Sequence, residues 1–303
     1  MDKFIKKLKR HVRLMVQVGF SLATNGNLRG FYQGTIYRGN GKMICVPGLN
    51  CYSCPGALGA CPLGSLQGML AAPKVRFPYY VLGLIVLFGA LLGRFVCGWL
   101  CPFGLVQDLA HKIPFFKKIK KLPGDRALKY LKYFFLAVFV VALPLAARGA
   151  VGVGTPWFCK YVCPSGTLLA GIPLVSTNAA LAQAAGPLFW WKISLLALFL
   201  LLSLLVWRPF CRYVCPLGAL YGLFNPVAAL RYKVDKDRCT TCGACSGACK
   251  MGLTPYKQPN SMECVRCGAC INVCPKDAIH TTLKRRCKNS DPEDGEKAVH
   301  AAI

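Results

Sequence analysis

Residues 187–207 read PLFWWKISLLALFLLLSLLVW, an apolar run that is long enough to cross a lipid bilayer. Two tryptophans and Lys192 lie near its start, and Trp207 followed by Arg208 ends it. Aromatic rings and the charged ends of long side chains favour the headgroup region of a bilayer. This stretch therefore predicts a membrane-spanning helix and places the chain among membrane proteins.

Three further apolar runs complete the predicted membrane domain. The runs at 77–96 and 127–147 have bilayer length. A weaker run at 14–32 contains Asn25 and Arg29 and follows a cluster of basic residues. A signal peptide is the competing interpretation of this weaker run, although no small-residue cleavage site is evident. We expect a retained helix, and thus about four spans.

The composition agrees with a membrane protein. Of 303 residues, 54% are hydrophobic and only 16% are charged, and the mean hydropathy is +0.42. The net charge of +27 could indicate nucleic-acid binding. However, the basic residues cluster beside the apolar runs, as they do in cytoplasmic loops, and the only carboxylates before Asp235 are Asp2, Asp108 and Asp125. We therefore expect contact with lipid and no binding of nucleic acid.

The basic residues also predict how the spans are oriented. The link between the second and third spans is rich in lysine, whereas the longer link after the third span holds only Arg148 and Lys160. Loops rich in Lys and Arg stay in the cytoplasm. With four spans, both termini are then cytoplasmic, segment 45–61 and the motif at 159–166 lie outside, and everything after residue 207 lies inside.

The chain also contains nineteen cysteines. An extracellular disulfide framework is one interpretation, but such scaffolds are short and loop-rich, whereas these cysteines flank membrane spans in short repeated runs. Metal clusters account better for their number and spacing. The cysteines at 239–274 should in addition face a reducing cytoplasm, where disulfides are rare.

Two runs near the C-terminal end have the spacing C-x2-C-x2-C-x3-C, at residues 239–249 and 264–274. This is the bacterial ferredoxin pattern, in which three close cysteines hold one [4Fe-4S] cluster and the fourth crosses to the other cluster. Zinc is the alternative, but the paired runs exceed what tetrahedral sites need. Haem is disfavoured because none of the four histidines lies within a span. The pattern predicts two ligand sets: Cys239, Cys242, Cys245 and Cys274, and Cys264, Cys267, Cys270 and Cys249.

A second cysteine motif recurs at or shortly after the ends of the three strongest spans. It reads CGWLCPFG at 97–104, CKYVCPSG at 159–166 and CRYVCPLG at 211–218. Positions i and i+4 share a helix face, so each pair presents two thiols in one direction. Proline disfavours helix at the preceding residue and suits the first turn of a new helix. Each second cysteine should therefore precede a fresh helix N-terminus, whose free amides and dipole favour an anionic cluster.

The stretch CVPGLNCYSCPGALGACPLG at 45–64 contains a degenerate fourth copy of this motif. Cys61 matches the second cysteine, but Ala57 stands at the place of the first. We expect Cys54 or Cys51 to supply the missing thiolate from the preceding loop, with Cys45 as a spare.

The predicted topology sorts the membrane cysteines into two ligand groups. The cytoplasmic group, which forms one four-thiolate site, is Cys97, Cys101, Cys211 and Cys215. The outer group, which forms at least one more site, is Cys51, Cys54, Cys61, Cys159 and Cys163. The plain alternative is that these cysteines are small buried residues that pack well, but three full copies with the same Pro-x-Gly tail favour cluster binding. We therefore predict two [4Fe-4S] clusters in the membrane domain and two in the ferredoxin domain.

Together, these motifs resemble those of the NapH/NosR-type membrane-bound polyferredoxins. The resemblance rests on GLNCYSCP at 48–55, on the copies at 97–104 and 211–218 and on the double ferredoxin run, and it covers about residues 12–280. It implies electron transfer through a bacterial cytoplasmic membrane, with quinone or an extracytoplasmic flavin- or haem-carrying protein as partner. NosR-type members also carry an outer FMN-binding domain. This sequence shows no counterpart, so we expect any flavin to come from a separate protein.

The sequence thus predicts a mainly α-helical protein in three parts. Residues 1–232 form a polytopic membrane helix bundle, residues 233–283 a cytoplasmic α+β domain with two ferredoxin-type clusters, and residues 284–303 a polar tail. We expect an electron wire from a redox protein on the cytoplasmic side to an outer or membrane acceptor, without catalytic residues or a substrate site of its own. Proton pumping is not expected, because the three strong spans hold no Asp, Glu or His.

Two other functions fit the same motifs. The clusters could sense redox state in a regulatory or maturation factor. Alternatively, the chain could be the quinol dehydrogenase subunit of a larger system, although no sequence motif marks a quinone pocket.

Overall fold

The computed structural model describes residues 2–73, 77–114, 118–120, 122–147 and 153–283. The polar tail predicted at 284–303 lies outside these residues. The described part is mainly helical, as the sequence predicts. Its elements are helices and two short strands, and most of the helices are only one to three turns long.

In the first half of the chain the helices are α1 (Asp2–Thr24), α2 (Leu28–Gln33), α3 (Pro62–Leu70), α4 (Tyr79–Leu92), α5 (Phe95–Trp99), α6 (Pro102–Lys112), α7 (Asp125–Leu128), α8 (Leu131–Phe134) and α9 (Leu143–Ala146). A 3₁₀ turn lies at Asn40–Met43 and a π-helical segment at Phe135–Ala142.

In the second half the elements are α10 (Pro164–Gly166), α11 (Ile172–Thr177), α12 (Ala179–Gln183), α13 (Pro187–Leu205), α14 (Pro209–Tyr213), α15 (Pro216–Phe224), β1 (Tyr232–Val234), α16 (Ala244–Ala248), α17 (Ala269–Val273) and β2 (Ile279–Thr281). Two further π-helical segments lie at Phe158–Val162 and Thr167–Gly171.

Two of the described helices have the length and composition of membrane spans. They are Asp125–Ala146, which joins α7, α8, the π-helical segment and α9, and Pro187–Leu205, which is α13. The other two predicted spans correspond to shorter apolar stretches of helix. These are Val12–Thr24 within α1 and Tyr79–Leu92, which is α4, each about 20 Å long at 1.5 Å per residue. The described residues therefore show two helices of spanning length where the sequence predicts four.

Local chemistry explains why the two shorter helices stop early. After α1 the Asn25 side chain donates to the Ser21 carbonyl at 3.0 Å, a bond by which asparagine competes with continued helix. α4 ends at Gly93, whose φ of +53° is a conformation that glycine adopts readily. The next backbone N–H, that of buried Arg94, then donates to Asn225 Oδ1 at 2.9 Å.

Each Cys-Pro step of the membrane motif begins a helix, as the sequence predicts. Helices α3, α6, α10 and α15 start at the prolines, where a missing N–H costs nothing. The preceding cysteine has an extended backbone in all four cases, at Cys61, Cys101, Cys163 and Cys215. The four second cysteines therefore lie at helix N-termini.

Segment 45–61 folds into the helical core instead of covering its surface. Part of it is buried in the main hydrophobic core, at Cys45, Leu49, Ala60 and Cys61. Gly48 approaches the next motif copy so closely that a Cβ atom there would lie 3.2 Å from the Cα of Cys101. The segment therefore brings one copy of the motif against another.

The ferredoxin region is a two-stranded antiparallel sheet with two short helices. β1 pairs with β2 in the register Tyr232 to Thr281 and Val234 to Ile279. Gly243 and Gly268 precede α16 and α17, and both have the left-handed conformation, with φ of 77° and 80°. The two cysteine runs thus adopt the same local structure twice.

This region docks on the membrane domain through buried polar contacts. Arg266 donates to the carbonyl oxygens of Leu92 and Asn225, at 2.6 and 2.7 Å. The Asn225 side chain donates to the Cys264 carbonyl at 2.7 Å, and Trp99 Nε1 donates to the Arg266 carbonyl at 3.0 Å. These bonds fix the second cysteine run beside the helices that follow the second predicted span.

Candidate iron-sulfur sites

Two cavities of the ferredoxin region are each lined by four cysteines. Cavity I is lined by Cys239, Cys242, Cys245 and Cys274. Cavity II is lined by Cys249, Cys264, Cys267 and Cys270. The fourth cysteine of each run therefore lines the cavity formed by the first three of the other run. The structure brings together the two ligand sets that the spacing predicts.

Backbone amides point at the two cysteines that cross between the runs. The amide of Leu253 donates to Cys249 Sγ at 3.4 Å, and that of Ala278 donates to Cys274 Sγ at 3.3 Å. In both cases the donor lies four residues after the cysteine. Such N–H···S bonds stabilise a thiolate that carries negative charge.

Burial favours the protonated thiol at two of the cysteines that line cavity II. Burial raises the pKa of the Cys264 thiol to about 11, and burial also raises the pKa of Cys249. Because iron binds the thiolate and not the thiol, cluster loading must release these protons.

Cavity III lies in the predicted membrane domain and is lined by the cysteine pairs of the copies at 97–104 and 211–218. These cysteines are Cys97, Cys101, Cys211 and Cys215, all of which are buried. The amides of Gly104 and Gly218 donate to the sulfurs of Cys101 and Cys215, each at 3.4 Å. Because these amides belong to the first turns of α6 and α15, each helix N-terminus faces a thiol, as the motif predicts.

Buried ion pairs lie beside two of the cysteines that line cavity III. Arg94 donates to the Cys211 carbonyl at 2.9 Å and pairs with Glu263 at 2.8 Å. Arg208 donates to the Cys97 carbonyl and pairs with Asp108 at 2.6 Å. Both guanidinium groups are fully buried and therefore lie in the protein and not among lipid headgroups. Their charge favours an anionic cluster between them.

Cavity IV is lined by cysteines of the outer group. Its volume is about 400 Å³, and its cysteines are Cys51, Cys61, Cys159 and Cys163. The amides of Gly64 and Gly166 hydrogen-bond the sulfurs of Cys61 and Cys163, as in the other copies of the motif. Lys192 lines the cavity and donates to the Cys159 carbonyl at 3.2 Å.

Two of the outer cysteines do not line cavity IV. Cys54 is fully buried against Ala57 and Ala170, and its thiol faces Asn25 Oδ1 at 3.6 Å. Cys45 donates to Ser65 Oγ at 3.4 Å. Of the two candidates for the missing thiolate of the degenerate copy, the structure brings Cys51 to the cavity and leaves Cys54 outside it.

Close contacts connect the four cavities in a series. Leu49 lines both cavity III and cavity IV. Between cavities II and III, a Cβ on Gly98 would lie 2.2 Å from the carbonyl oxygen of Val265. Between cavities I and II, Cys245 and Cys270 pack in one small hydrophobic core. The order along the molecule is therefore I, II, III and IV.

The arrangement differs from that of a mononuclear site. Within the described residues, no three His, Cys, Asp or Glu side chains converge on a point where they could share one metal ion. A tetrahedral zinc site needs such convergence, with each sulfur about 2.3 Å from the ion. A four-iron cluster takes its cysteines at separate iron atoms, which suits four thiols around a cavity. Every described cysteine is free of disulfide bonds.

Several polar residues around cavities III and IV were not predicted from the sequence. Gln67 and Gln107 contact the sulfurs of Cys159 and Cys211, and Arg94 and the ion pairs of cavity III were also not foreseen. A signal for the glutamines was present, because each lies six residues after a Cys-Pro cysteine. For the arginines the sequence offers only their position at span ends, where a headgroup contact is the simpler expectation.

Comparison with protein-family models gives a consistent result. One model of a 4Fe-4S binding domain matches residues 77–123, 133–174 and 188–234, and each match contains one full copy of the membrane cysteine motif. A second 4Fe-4S binding domain model matches residues 258–280, which contain the second ferredoxin run. No solved structure matches the chain.

Several curated proteins are similar to the chain over most of its length. An uncharacterized protein of Methanocaldococcus jannaschii is 34% identical over 223 residues, which are 72% of this chain and 84% of that protein. The methylamine utilization ferredoxin-type protein MauN of Paracoccus denitrificans is 29% identical over 74% of this chain and 69% of its own length. The ferredoxin-type protein NapH of Escherichia coli is 26% identical over 62% of this chain and 59% of its own length.

Proposed function

We propose that this chain, which belongs to the NapH-type family of 4Fe-4S polyferredoxins, carries electrons across a membrane through four cluster sites. Membership of the family gives iron-sulfur electron transfer as the broad function and redox partners as the broad class of partner. The finer proposal concerns the path, which runs through cavities I, II, III and IV in that order.

The observation that carries the proposal is that four cavities, each lined by four cysteines, follow one another through close contacts. Leu49 lines both III and IV, Gly98 meets the Val265 carbonyl between II and III, and Cys245 and Cys270 pack together between I and II. A [4Fe-4S] cluster bound in each would supply one-electron transfer at that point. Electron tunnelling slows steeply with distance, so adjoining sites are needed for a fast path. Two sites at opposite faces of a roughly 30 Å hydrocarbon core would lie too far apart. Leu49, which lines both membrane cavities, supports a direct step between them.

The proposed ligands follow the cavity linings. Cavities I and II use the eight ferredoxin cysteines, and cavity III uses the two inner pairs. For cavity IV we propose Cys51, Cys61, Cys159 and Cys163, with Cys45 and Cys54 as packing residues. The protein's own part is to hold the sulfurs in place, to exclude water from cavity III, and to offset negative charge with Arg94, Arg208 and Lys192.

The proposed orientation places cavity I in the cytoplasm and cavity IV toward the outer face. It rests on the lysine-rich link between the second and third predicted spans. Cys242 of cavity I is exposed, which gives a redox protein a point of access at this end. At the other end, the partner would be an extracytoplasmic flavin- or haem-carrying protein or a quinone. The chain would then cross a bacterial cytoplasmic membrane several times, with both termini inside.

The experiment is a count of clusters followed by a transport assay. Four clusters require about 16 iron atoms and about 16 acid-labile sulfides per chain. Purified protein in liposomes should then pass electrons from a reduced donor on the ferredoxin side to an impermeant acceptor on the other side. A loaded protein with only two clusters, or four clusters without transfer, would contradict the proposal.

One observation favours a second function, quinol oxidation at cavity IV. This cavity, at about 400 Å³, is much larger than the other three. Two of its lining residues are buried with an unpartnered polar atom, Ser165 Oγ and Asn50 Oδ1. A quinol would bond to these atoms through a hydroxyl group. Its oxidation to the quinone would release one proton from each of its two hydroxyls to solvent and give two electrons, one at a time, to the cluster path.

Reduction by a quinol analogue tests this second function. The clusters of the loaded protein should become reduced on addition of the analogue, and Ser165→Ala should raise the concentration needed without loss of iron. If no quinol reduces the clusters while electron transfer from a protein donor is intact, the quinol site is contradicted and the electron-transfer function stands.

A further inference from the structure

Gln67 and Gln107 hold equivalent places in two copies of the membrane motif. Each lies six residues after a Cys-Pro cysteine, Gln67 in α3 and Gln107 in α6. Both side chains are fully buried, although an amide is costly to bury unless it is hydrogen-bonded. The structure shows how each amide is satisfied.

The amide of Gln107 makes three contacts around cavity III. Its Nε2 donates to Cys211 Sγ at 3.1 Å and to the Phe103 carbonyl at 3.4 Å. Its Oε1 accepts from the backbone N–H of Phe210 at 3.2 Å. Gln107 therefore joins the copy at 97–104 to Cys211, the first cysteine of the copy at 211–218.

The amide of Gln67 repeats these contacts at cavity IV. Its Nε2 donates to Cys159 Sγ at 3.3 Å and to the Leu63 carbonyl at 3.5 Å, and its Oε1 accepts from the Phe158 N–H at 3.0 Å. In each copy the carbonyl partner lies four residues before the glutamine, and the amide partner directly precedes the contacted cysteine.

The contacts fix which end of each amide faces the sulfur. If the amide turned over, its NH₂ group would face a backbone N–H and its oxygen would face a thiolate. Both contacts are repulsive. The N–H group must therefore point at the sulfur, so each glutamine is a built-in donor to one cysteine.

We propose that Gln67 and Gln107 set the reduction potentials of the clusters in cavities IV and III, an inference that rests on the proposed function. Reduction adds one negative charge to a cluster. An N–H donor at a coordinating sulfur stabilises the reduced state more than the oxidised state and so raises the potential. The equivalent positions in the other two copies are Leu169 and Tyr221. Cavities III and IV are each lined by cysteines from two copies of the motif. In each cavity, one of these two copies carries the glutamine donor.

The test is a redox titration, followed by EPR, of the full-length protein and of Gln107→Leu, Gln67→Leu and the double variant. We expect each single variant to make reduction of one cluster about tenfold less favourable, equivalent to about 59 mV for one electron. The two variants should affect different clusters, and the double variant should affect both. Gln17→Leu is the matched control, since Gln17 is buried and lines neither membrane cavity.

If the glutamines had a purely structural role, the variants would lose clusters, but the clusters that remain would keep their reduction potentials. Iron and sulfide are therefore measured on every sample. Should a variant fail to load, protein labelled with ¹⁵N in the glutamine amides decides the matter. Pulsed EPR of the reduced wild type should then show coupling to an amide nitrogen and to an exchangeable proton.

The outcomes separate this inference from the proposed function. If the wild type holds only two clusters, the proposed function fails first. If all four clusters load and the glutamine variants leave every reduction potential unchanged, the proposed role of the glutamines is overturned. The same holds if no amide coupling is seen. In both cases the proposed electron-transfer function stands.

Discussion

Two cysteines three residues apart have different roles in the proposed site. Cys51 lines cavity IV, whereas Cys54 packs against Ala57 and Ala170 beyond it. The sequence could not separate them, because both lie in the loop before the degenerate copy and either could reach the place of the missing thiol. The difference comes from tertiary packing of the loop, which local spacing does not encode.

Serine variants of these two cysteines test the assignment. We expect Cys51→Ser to remove one of four clusters, about four iron atoms per chain, because cavity IV then has only three thiols. Cys54→Ser is the matched control, and it should retain all the iron. The measurement is iron and acid-labile sulfide with EPR. Retention of four clusters in Cys51→Ser together with loss in Cys54→Ser would reverse the assignment.

Asp108 links the membrane cavities to the pH dependence of stability. It pairs with Arg208 at 2.6 Å and also with Arg13. Burial raises the pKa of Asp108, but the charges and hydrogen bonds of the two arginines lower it more, so the pKa lies below its usual value. The stabilisation is therefore present above the unfolded-state pKa of about 3.9 and is lost as the pH falls through the folded-state pKa.

We expect Asp108→Asn to lower the free energy of unfolding by roughly 3 kcal/mol at neutral pH, because the buried Arg208 loses its partner. The difference from wild type should stay constant down to about pH 5 and shrink below about pH 4. Thermal unfolding in detergent measures it. The exposed Asp237→Asn is the control with little expected change. A difference that grows with acidity would contradict this account.

At the scale of the elements, the sequence predicts helix starts better than helix ends. The Cys-Pro step of each membrane-motif copy begins a helix, since the proline and the preceding residue restrict the backbone locally. By contrast, the apolar run at 77–96 predicts a helix through residue 96, and the structure ends α4 at Leu92. An average of hydropathy cannot register one positive φ at Gly93 or the bond from Arg94 to Asn225.

The junction between α5 and the ferredoxin region depends on a glycine. A side chain at Gly98 would overlap the Val265 carbonyl, since a Cβ there would lie 2.2 Å from that oxygen. We expect Gly98→Ala to lower stability by about 1–3 kcal/mol through overpacking and to slow electron transfer between cavities II and III, which lie on either side of this contact.

Rapid reduction of the ferredoxin clusters, followed by the appearance of reduced cluster in cavity III, measures this step. Gly83→Ala in α4 is the control, because a Cβ there meets no atom within 4 Å, and alanine should favour the helix by about 0.5–1 kcal/mol. An unchanged rate in Gly98→Ala would show that the contact does not set the distance between the two sites.

At the scale of the whole molecule, the proposed path has no branch, so the loss of one site should stop transport. We expect Cys211→Ser to leave cavity III without a cluster while cavities I, II and IV still load. In liposomes, a donor on the ferredoxin side should still reduce cavities I and II, but transfer to the outer acceptor should fall to background. Continued transfer would mean that electrons bypass cavity III.

Charge and span parity act along the whole chain, and the prediction drawn from them puts together the same motif copies that line cavities III and IV. The assignment of these copies to the two sides of the membrane stays a prediction. The closeness of cavities III and IV could not be predicted. It results from segment 45–61, which enters the core and places Leu49 between the two cavities. A count of crossings assigns that segment to the outer face but says nothing about its depth.

The pairing of motif copies also constrains how the protein is made. The copy at Cys61 pairs with the copy at Cys159, and the copy at Cys97 pairs with the copy at Cys211, so the two proposed membrane sites interlock along the chain. Each would close a long loop that contains one half of the other site. During synthesis, neither membrane cluster could therefore be inserted early, and the last pair of ligands would emerge only after residue 215. Iron loading would be a late step of biogenesis, and a chain stalled before that residue would leave reactive thiols without metal.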